Sequence, residues 1–472
     1  MSFVPQHTFL MFYTKLFSGL AGLLLLLCLA GCKPQQASQP PNIIFLLTDD
    51  QRWDALGAMG NPIIQTPHMD ALAREGLLFT NAYVTTPICC TSRASILSGQ
   101  YARRHGIHDF KTSFSPAAWQ ACYPMQLKQA GYYLGFVGKF GVGRGEDMPA
   151  ADFDYWKGIP GQPQYEQRDE QGRYKHLTRI MGEQCLEFLQ QAPADRPFCL
   201  SVSFKAPHVQ DADPRQFLYD SAYQELFEEV QIPPARAGTD EYWEAFPEFF
   251  KADNEARRRW EMRFSTPEKY QASVKGYYRL IYGVDVVIGN IRKELARLGM
   301  DEHTLIVLMG DNGFFLGEKG LAGKWYIYEE SIRVPLVWYD PRLPQEQRGK
   351  KIDQIALNID IAPTLLKVAG QDIPSQMQGQ DLYSLLNHSQ TEWRQDFLFE
   401  HLFEHPRIPK SEGVVSLFEK YARYLPPAPP YEEFYDLRTD PGELENLAGK
   451  PEAEKRVEQA RKRLQTLIGQ FQ

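Results

Sequence analysis

Two apolar runs that stop at acids limit the fold of this chain more than any other feature. Asn42-Ile43-Ile44-Phe45-Leu46-Leu47-Thr48 ends in Asp49-Asp50, and Thr304-Leu305-Ile306-Val307-Leu308-Met309-Gly310 ends in Asp311-Asn312-Gly313. Neither run alternates polar with apolar positions, so neither suits a strand with one wet face. Both suit strands buried on two faces, in a parallel sheet covered by helices. Pro197 to Phe204 and Tyr133 to Val137 read as further strands, and Met125 to Gly131, His176 to Gln191 and Tyr270 to Leu298 as helices. Open α/β sheets place ligands beyond the carboxyl ends of their strands. Asp49 and Asp50 can therefore share one cation if the chain turns between them, and hard oxygens of this kind suit calcium. Solvated acids in a loop is the ordinary alternative.

The stretch Thr86-Pro87-Ile88-Cys89-Cys90-Thr91-Ser92-Arg93-Ala94-Ser95-Ile96-Leu97-Ser98-Gly99 reads as a loop that opens a helix. Pro87 ends an extended segment, Thr91 or Ser92 can cap, and Gly99 stops the run. A helix start offers free N–H groups and favours an anion. Cys89 and Arg93 are four apart, which puts them on one helix face. A capped helix holding a buried cysteine pair is the plainer reading of the same residues.

With 472 residues, 43% of them hydrophobic, the chain can build one or two domains. A net charge of −8 excludes the basic excess expected of a nucleic-acid binder, so a polyanionic substrate would need a local basic pocket. Residues 1–32 read as a targeting segment: Lys15, the apolar run Leu20 to Ala30, then Leu29-Ala30-Gly31-Cys32, which resembles a bacterial lipobox. The expectation is an exported protein, lipid-anchored at Cys32 in the bacterial envelope, with residues 33–41 as a flexible tether. An ordinary secretory signal is the alternative. Cys89, Cys90, Cys122, Cys185 and Cys199 remain, with no zinc-type spacing and no readable pairing. Asp211 to Pro267 reads as an insertion of short helices. From about Gln378 the chain changes character. Phe397 to Glu400, Gly413 to Phe418 and Tyr421 to Tyr424 read as short strands, and Ala453 to Ile468 as a charged helix.

The string from Cys89 through Ser92-Arg93 to Gly99 resembles the sulfatase signature, Cys-x-Pro/Ala-Ser-Arg before a small-residue helix; Thr91 stands where Pro or Ala is usual. The strand ending in Asp49-Asp50, Thr66-Pro67-His68-Met69-Asp70, Gly138-Lys139-Phe140-Gly141, Ala206-Pro207-His208, Asp311-Asn312-Gly313, Lys324 to Pro335 and Tyr435 to Glu443 resemble further motifs of that family, in order. The resemblance implies a type I sulfatase with an alkaline-phosphatase-like α/β fold. That fold is a large mixed, mostly parallel sheet flanked by helices over residues 42–377, plus a small C-terminal antiparallel sheet with one helix over 378–472. It implies that a formylglycine-generating enzyme converts Cys89 to formylglycine, and that Asp49, Asp50, residue 89, Asp311 and Asn312 hold Ca2+. Arg93 would stabilise the hydrated formylglycine, Lys139 and Lys324 would act on the sulfate group, and His208 on the ester oxygen of a sulfated saccharide. Gly141 departs from the family, which has a His there to deprotonate the hydrate. His105, with His108 second, is the expected replacement. Arg103 and Arg104 are substrate-binding candidates, and His401, His405 and Arg407 are expected to be surface residues, with reach into the pocket as the alternative. Two other readings are a phosphodiester or phosphonate hydrolase of the same superfamily and a non-catalytic glycan-binding lipoprotein.

Overall fold

The computed structural model describes residue 1 and residues 40–169, 171–386 and 392–472. The targeting segment, Cys32 and all but the end of the tether lie outside the described residues. Pro41–Gln472 forms one compact unit, so the regions on either side of residue 377 pack as lobes of one body.

Eight strands build the central sheet: β1 (Asn42–Asp49), β2 (Leu77–Phe79), β3 (Tyr133–Lys139), β4 (Tyr155–Ile159), β5 (Phe198–Pro207), β6 (Thr304–Gly310), β7 (Leu336–Tyr339) and β8 (Lys350–Ile352). Their order is β8-β2-β7-β6-β1-β5-β3-β4. The two apolar runs lie side by side, Ile43 opposite Leu305 in parallel register, with β5 on the other flank of β1. Every pairing is parallel except those of β7 with β2 and β6, which makes the sheet mixed and mostly parallel as expected. Ile43, Phe45 and Leu47 enter one core while Ile44 and Leu46 enter the other, so the period of two persists without a polar face.

Helices α1 (Pro67–Glu75), α2 (Cys89–Ser98), α3 (Leu177–Gln191), α4 (Pro267–Leu298) and α5 (Ile361–Val368) cover the sheet. On α4, Val274, Tyr277, Ile281, Val284, Ile288 and Ile291 form one buried stripe at helical spacing. Its Asp285 accepts from the backbone N–H groups of His68 (3.0 Å) and Met69 (2.7 Å), capping α1, which has no side-chain cap of its own at Thr66. Burial pushes that carboxyl up to about 7 in spite of the two hydrogen bonds.

The C-terminal lobe is a four-stranded antiparallel sheet, β9 (Asp396–His401), β10 (Ser411–Ser416), β11 (Glu419–Tyr424) and β12 (Tyr431–Asp436), with α6 (Glu454–Gln470). The sequence showed three of these strands and no sign of β12. Likewise β4 sits inside the polar stretch 152–173, where the sequence showed no strand. The insertion carries the helices Asp240–Glu244, Glu248–Lys251 and Glu255–Arg263. The Glu400 N–H donates to Thr85 O at 2.9 Å, which ties the C-terminal sheet to the segment leading into Cys89.

Candidate active site

The chemistry-bearing residues meet at one edge of the sheet because β1, β3, β5 and β6 are parallel and end together. Asp49 closes β1, Lys139 closes β3, His208 follows β5, and Asp311-Asn312 follow β6. The turn required after Asp49 is present: Asp50 has φ +70, a left-handed conformation that Asp tolerates better than most residues. It is held there by Asp50 N–H to Asp311 Oδ1 (3.1 Å) and by the Tyr277 hydroxyl donating to Asp50 O (2.7 Å). Helix α2 starts at Cys89 with Ile88 as an N-cap that supplies no side-chain bond. Thr91 and Ser92 therefore lie inside the first turn and do not cap it, as the sequence had suggested; Ser92 Oγ instead accepts from Asn358 Nδ2 at 3.0 Å. Gly99 ends the helix in the left-handed region as expected.

Three buried cations face three buried carboxylates. Arg93 donates through Nε to Asp311 Oδ2 (2.8 Å) and through Nη1 to Ser203 Oγ (2.7 Å) and to the Lys139 carbonyl, with Nη2 3.4 Å from Asp49 Oδ2. Lys139 Nζ lies 2.5 Å from Asp49 Oδ2 and 3.5 Å from Cys89 Sγ. Lys324 Nζ pairs with Asp50 Oδ1, which also accepts from Asn312 Nδ2 at 2.6 Å. His208 Nδ1 lies 2.6 Å from the Val209 carbonyl, and its Nε2 is 3.3 Å from Gln162 Nε2 and 3.6 Å from Asp50 Oδ2. This fits a neutral ring with Nε2 as acceptor.

Burial opposes every one of these charges, and the neighbours decide the outcome. Asp49 is held well below the usual carboxylate range because Lys139, His208, Arg93 and Lys324 outweigh its desolvation. Asp311 is pushed up to about 6, by burial and then by the charge of Asp49. Burial raises the Cys89 thiol, against the pull of Lys139 and Lys324. Burial takes His208 down to about 4 despite Asp50 and Asp49.

Four buried polar atoms at this spot have no hydrogen-bond partner: Asp49 Oδ1, Asp50 Oδ2, Asn312 Oδ1 and Arg93 Nη2. Three hard oxygens left bare in one cluster of acids fit a divalent cation such as calcium. Donor atoms of Asp49, Asp50 and His208 lie within 4.8 Å of one another, so the imidazole also borders that position.

The expected replacement for the histidine at 141 is corrected. His105 Nε2 is 3.0 Å from Ser95 Oγ, and its Nδ1 accepts from Ile107 N–H at 3.0 Å. Both ring nitrogens are thus spent inside the α2 loop, and burial lowers the imidazole to about 3. His108 is half-buried beside Arg103 and Lys410. Arg103 pairs with Glu400 (2.6 Å) and Glu412 (3.5 Å) of the C-terminal sheet, so its guanidinium is committed there, while Arg104 is exposed and donates to Gln472 O at 3.3 Å. Gly141 itself has φ +77, and a Cβ there would meet Arg93 Cδ at 2.8 Å. The arginine side chain fills the room a larger residue would need. His401 is fully buried with neither ring nitrogen bonded, which corrects its reading as a surface residue, while Arg407 pairs with Glu255 of the insertion at 2.7 Å. All five core cysteines are free and buried.

Sequence reading missed Ser203 and Gln162. Ser203 carried a signal: it interrupts an apolar strand, and a buried hydroxyl needs a partner. Gln162 carried none, since it lies in a polar loop.

This fold, with a buried cysteine, paired cations and bare oxygens at one strand edge, defines a hydrolase of anionic esters of the alkaline-phosphatase-like class. The chain belongs to the sulfatase family, whose model matches residues 41–371, and a model of the N-sulphoglucosamine sulphohydrolase C-terminal region matches residues 317–470. It is a sulfatase. It is 28% identical to an N-acetylglucosamine-6-O-sulfatase of Bacteroides thetaiotaomicron, over 94% of this chain and 89% of that one. To the human N-acetylglucosamine-6-sulfatase it is 29% identical, over 84% of this chain and 75% of that one. A solved enzyme in complex with its substrate D-glucosamine-2-N,6-O-disulfate superimposes with a TM-score of 0.80 at 25% identity, over 92% of this chain and 98% of that one.

Proposed function

We propose that the protein removes the 6-O-sulfate of a glucosamine unit in a sulfated glycan. The observation that carries the reading is Lys139 Nζ at 3.5 Å from Cys89 Sγ, at the bottom of a site where Cys89 is only 1% exposed. A recessed reacting atom beside a fixed cation suits a sulfate that stands out from the sugar on an exocyclic carbon, because the ring need not enter. The relatives that act on N-acetylglucosamine 6-sulfate support the same assignment.

Asp49, Asp50, Asp311 and Asn312 would hold Ca2+, with residue 89 beside them. Formylglycine at position 89, hydrated by one water to a geminal diol, would supply a hydroxyl nucleophile and a second hydroxyl through which sulfate can leave, and the cation would supply fixed positive charge. The chain's own residues do the rest. Lys139 and Lys324 face the developing charge on the sulfate oxygens, already desolvated and so strong. Arg93 keeps Asp311 and the end of β3 in register through three hydrogen bonds. His208 presents Nε2 to the ester oxygen; the anionic substrate draws a proton onto the ring, and the ring passes it to the departing alcohol. Leu29-Ala30-Gly31-Cys32 supports a lipid anchor that keeps the enzyme in the cell envelope, where polymeric glycans arrive from outside.

The test is sulfate release from N-acetylglucosamine 6-sulfate by matured protein, set against hydrolysis of a phenyl phosphonate ester. The sulfate ester should be favoured by at least ~100-fold in kcat/KM, the scale of one oxyanion-directed interaction. Preference for the phosphonate would replace this reading by the phosphonate-hydrolase one.

A further inference from the structure

Beyond His208 and Lys324 the chain runs directly into a second set of fixed polar groups. Asp211 follows His208 by three residues, and Trp325 is the neighbour of Lys324. Arg259, from the insertion helix Glu255–Arg263, bridges the two: its guanidinium lies 3.5 Å from Asp211 Oδ1 and 5.0 Å from the centre of the Trp325 ring.

Both charged side chains are immobilised from behind. Arg263, whose side chain is fully buried, donates from Nη2 to Asp211 Oδ1 at 2.8 Å and from Nε to Gln216 Oε1 at 2.8 Å. Arg259 donates from Nε to Glu255 Oε1 at 2.9 Å, and Glu255 is anchored in turn by Arg407. Trp325 takes φ +89, a conformation that a bulky residue rarely adopts. Its ring lies over residue 323, where a Cβ would meet it at 3.0 Å and only glycine leaves room. Buried partners thus hold one carboxylate and one guanidinium in place, near enough to His208 and Lys324 for their charges to act on Asp211.

Each keeps an open end. Asp211 is 47% exposed and Arg259 22% exposed. Neither Asp211 Oδ2 nor Arg259 Nη2 has a hydrogen bond of 3.5 Å or less among the described residues. Burial pushes the Asp211 carboxyl up, but Arg259, His208, Arg263 and Lys324 more than offset this and keep it ionised.

We propose that Asp211 and Arg259 form the sugar-recognition subsite of this enzyme, reading adjacent free hydroxyls of the pyranose whose sulfate lies at residue 89. This rests on the sulfatase reading above. A hydroxyl both donates and accepts, so an acceptor-only carboxylate and a donor-only guanidinium side by side match a vicinal diol. Because both are pre-positioned, little ordering is lost when the sugar binds.

The experiment compares two sulfate esters in matured full-length protein: N-acetylglucosamine 6-sulfate, which offers hydroxyls, and p-nitrophenyl sulfate, which offers none. Asp211→Asn keeps an oxygen for Arg263; Arg259→Met is the second variant. Each should lower the saccharide-to-aryl ratio of kcat/KM by roughly 10- to 100-fold, what a hydrogen bond to a charged group contributes. A ratio that stays within about twofold in both variants, whether both esters slow together or neither does, overturns the subsite. Calorimetry with N-acetylglucosamine 6-sulfate on Cys89→Ala protein, with and without Asp211→Asn, reads the subsite without turnover. Weakening by about tenfold or more supports it, and an equal Kd or no binding overturns it. Asp211-dependent binding by a parent enzyme that cleaves neither ester would leave the subsite standing and remove the sulfatase reading instead.

Discussion

Restoring the family histidine at position 141 should damage this enzyme. The backbone there has φ +77, and the nearest atoms to a Cβ would be Arg93 Cδ at 2.8 Å, Nε at 3.3 Å and Nη1 at 3.4 Å. A side chain in left-handed backbone costs about 1–2 kcal/mol. Pushing into a packed neighbour costs about 1–3 kcal/mol more. Arg93 cannot yield cheaply, because it is 2% exposed and bonded at once to Asp311, Ser203 and the Lys139 carbonyl. Gly141→Ala should therefore lose about 2–5 kcal/mol of stability, and Gly141→His at least as much. Turnover should fall with it by more than about tenfold, since displacing the guanidinium releases both Asp311 and the end of β3. Urea midpoints measure the first effect and sulfate release the second. A Gly141→His protein as stable as its parent and faster in turnover would refute the reasoning, and would mean that the position is vacant for a base.

Three further outcomes follow from the same geometry. Asp311→Ala should lose bound calcium and activity together, read by metal analysis of the purified protein; full activity after exhaustive chelation of that variant would remove the metal assignment. Asp285 binds its proton in the folded chain up to about pH 7 but gives it up near 3.8 when unfolded, so its contribution is fully present below pH 3.8 and is lost as pH rises to about 7. Asp285→Asn should remove a fall of at most about 4 kcal/mol across that window, and urea midpoints that keep the parent's pH dependence would show that this carboxyl does not titrate there. His105→Ala should cost about 1 kcal/mol of stability through Ser95 and leave the sulfate-release burst as in the parent; a stalled second phase would make it the missing base after all.

The sheet was legible where strands are buried on both faces, because β1 and β6 are apolar almost throughout and β5 is broken only by Ser201, Ser203 and Lys205. The edge strands β4 and β8 and the strand β2 beside β8 were not: each has three to five residues, and β4 and β8 include exposed positions. The antiparallel β7 also gave no directional signal, since four apolar residues fit either direction. The residues that the structure gathers at this edge stood out in sequence because most of them sit at or within a few residues of a strand end or helix start. Their pairing did not. The Arg93 contacts with Asp311 and Ser203 join positions 218 and 110 residues apart, and no local pattern encodes them. Histidine at 105 looked available because sequence shows neighbours along the chain, while Ser95 claims it across a helix turn.

The account stands most directly on position 89. Protein made together with a formylglycine-generating enzyme can be digested and its peptides covering residues 89 and 90 weighed, alongside sulfate release by the same sample. The account expects an aldehyde at Cys89, an intact thiol at Cys90, and sulfate release in proportion to the converted fraction. Full activity in protein whose Cys89 is unmodified would contradict it.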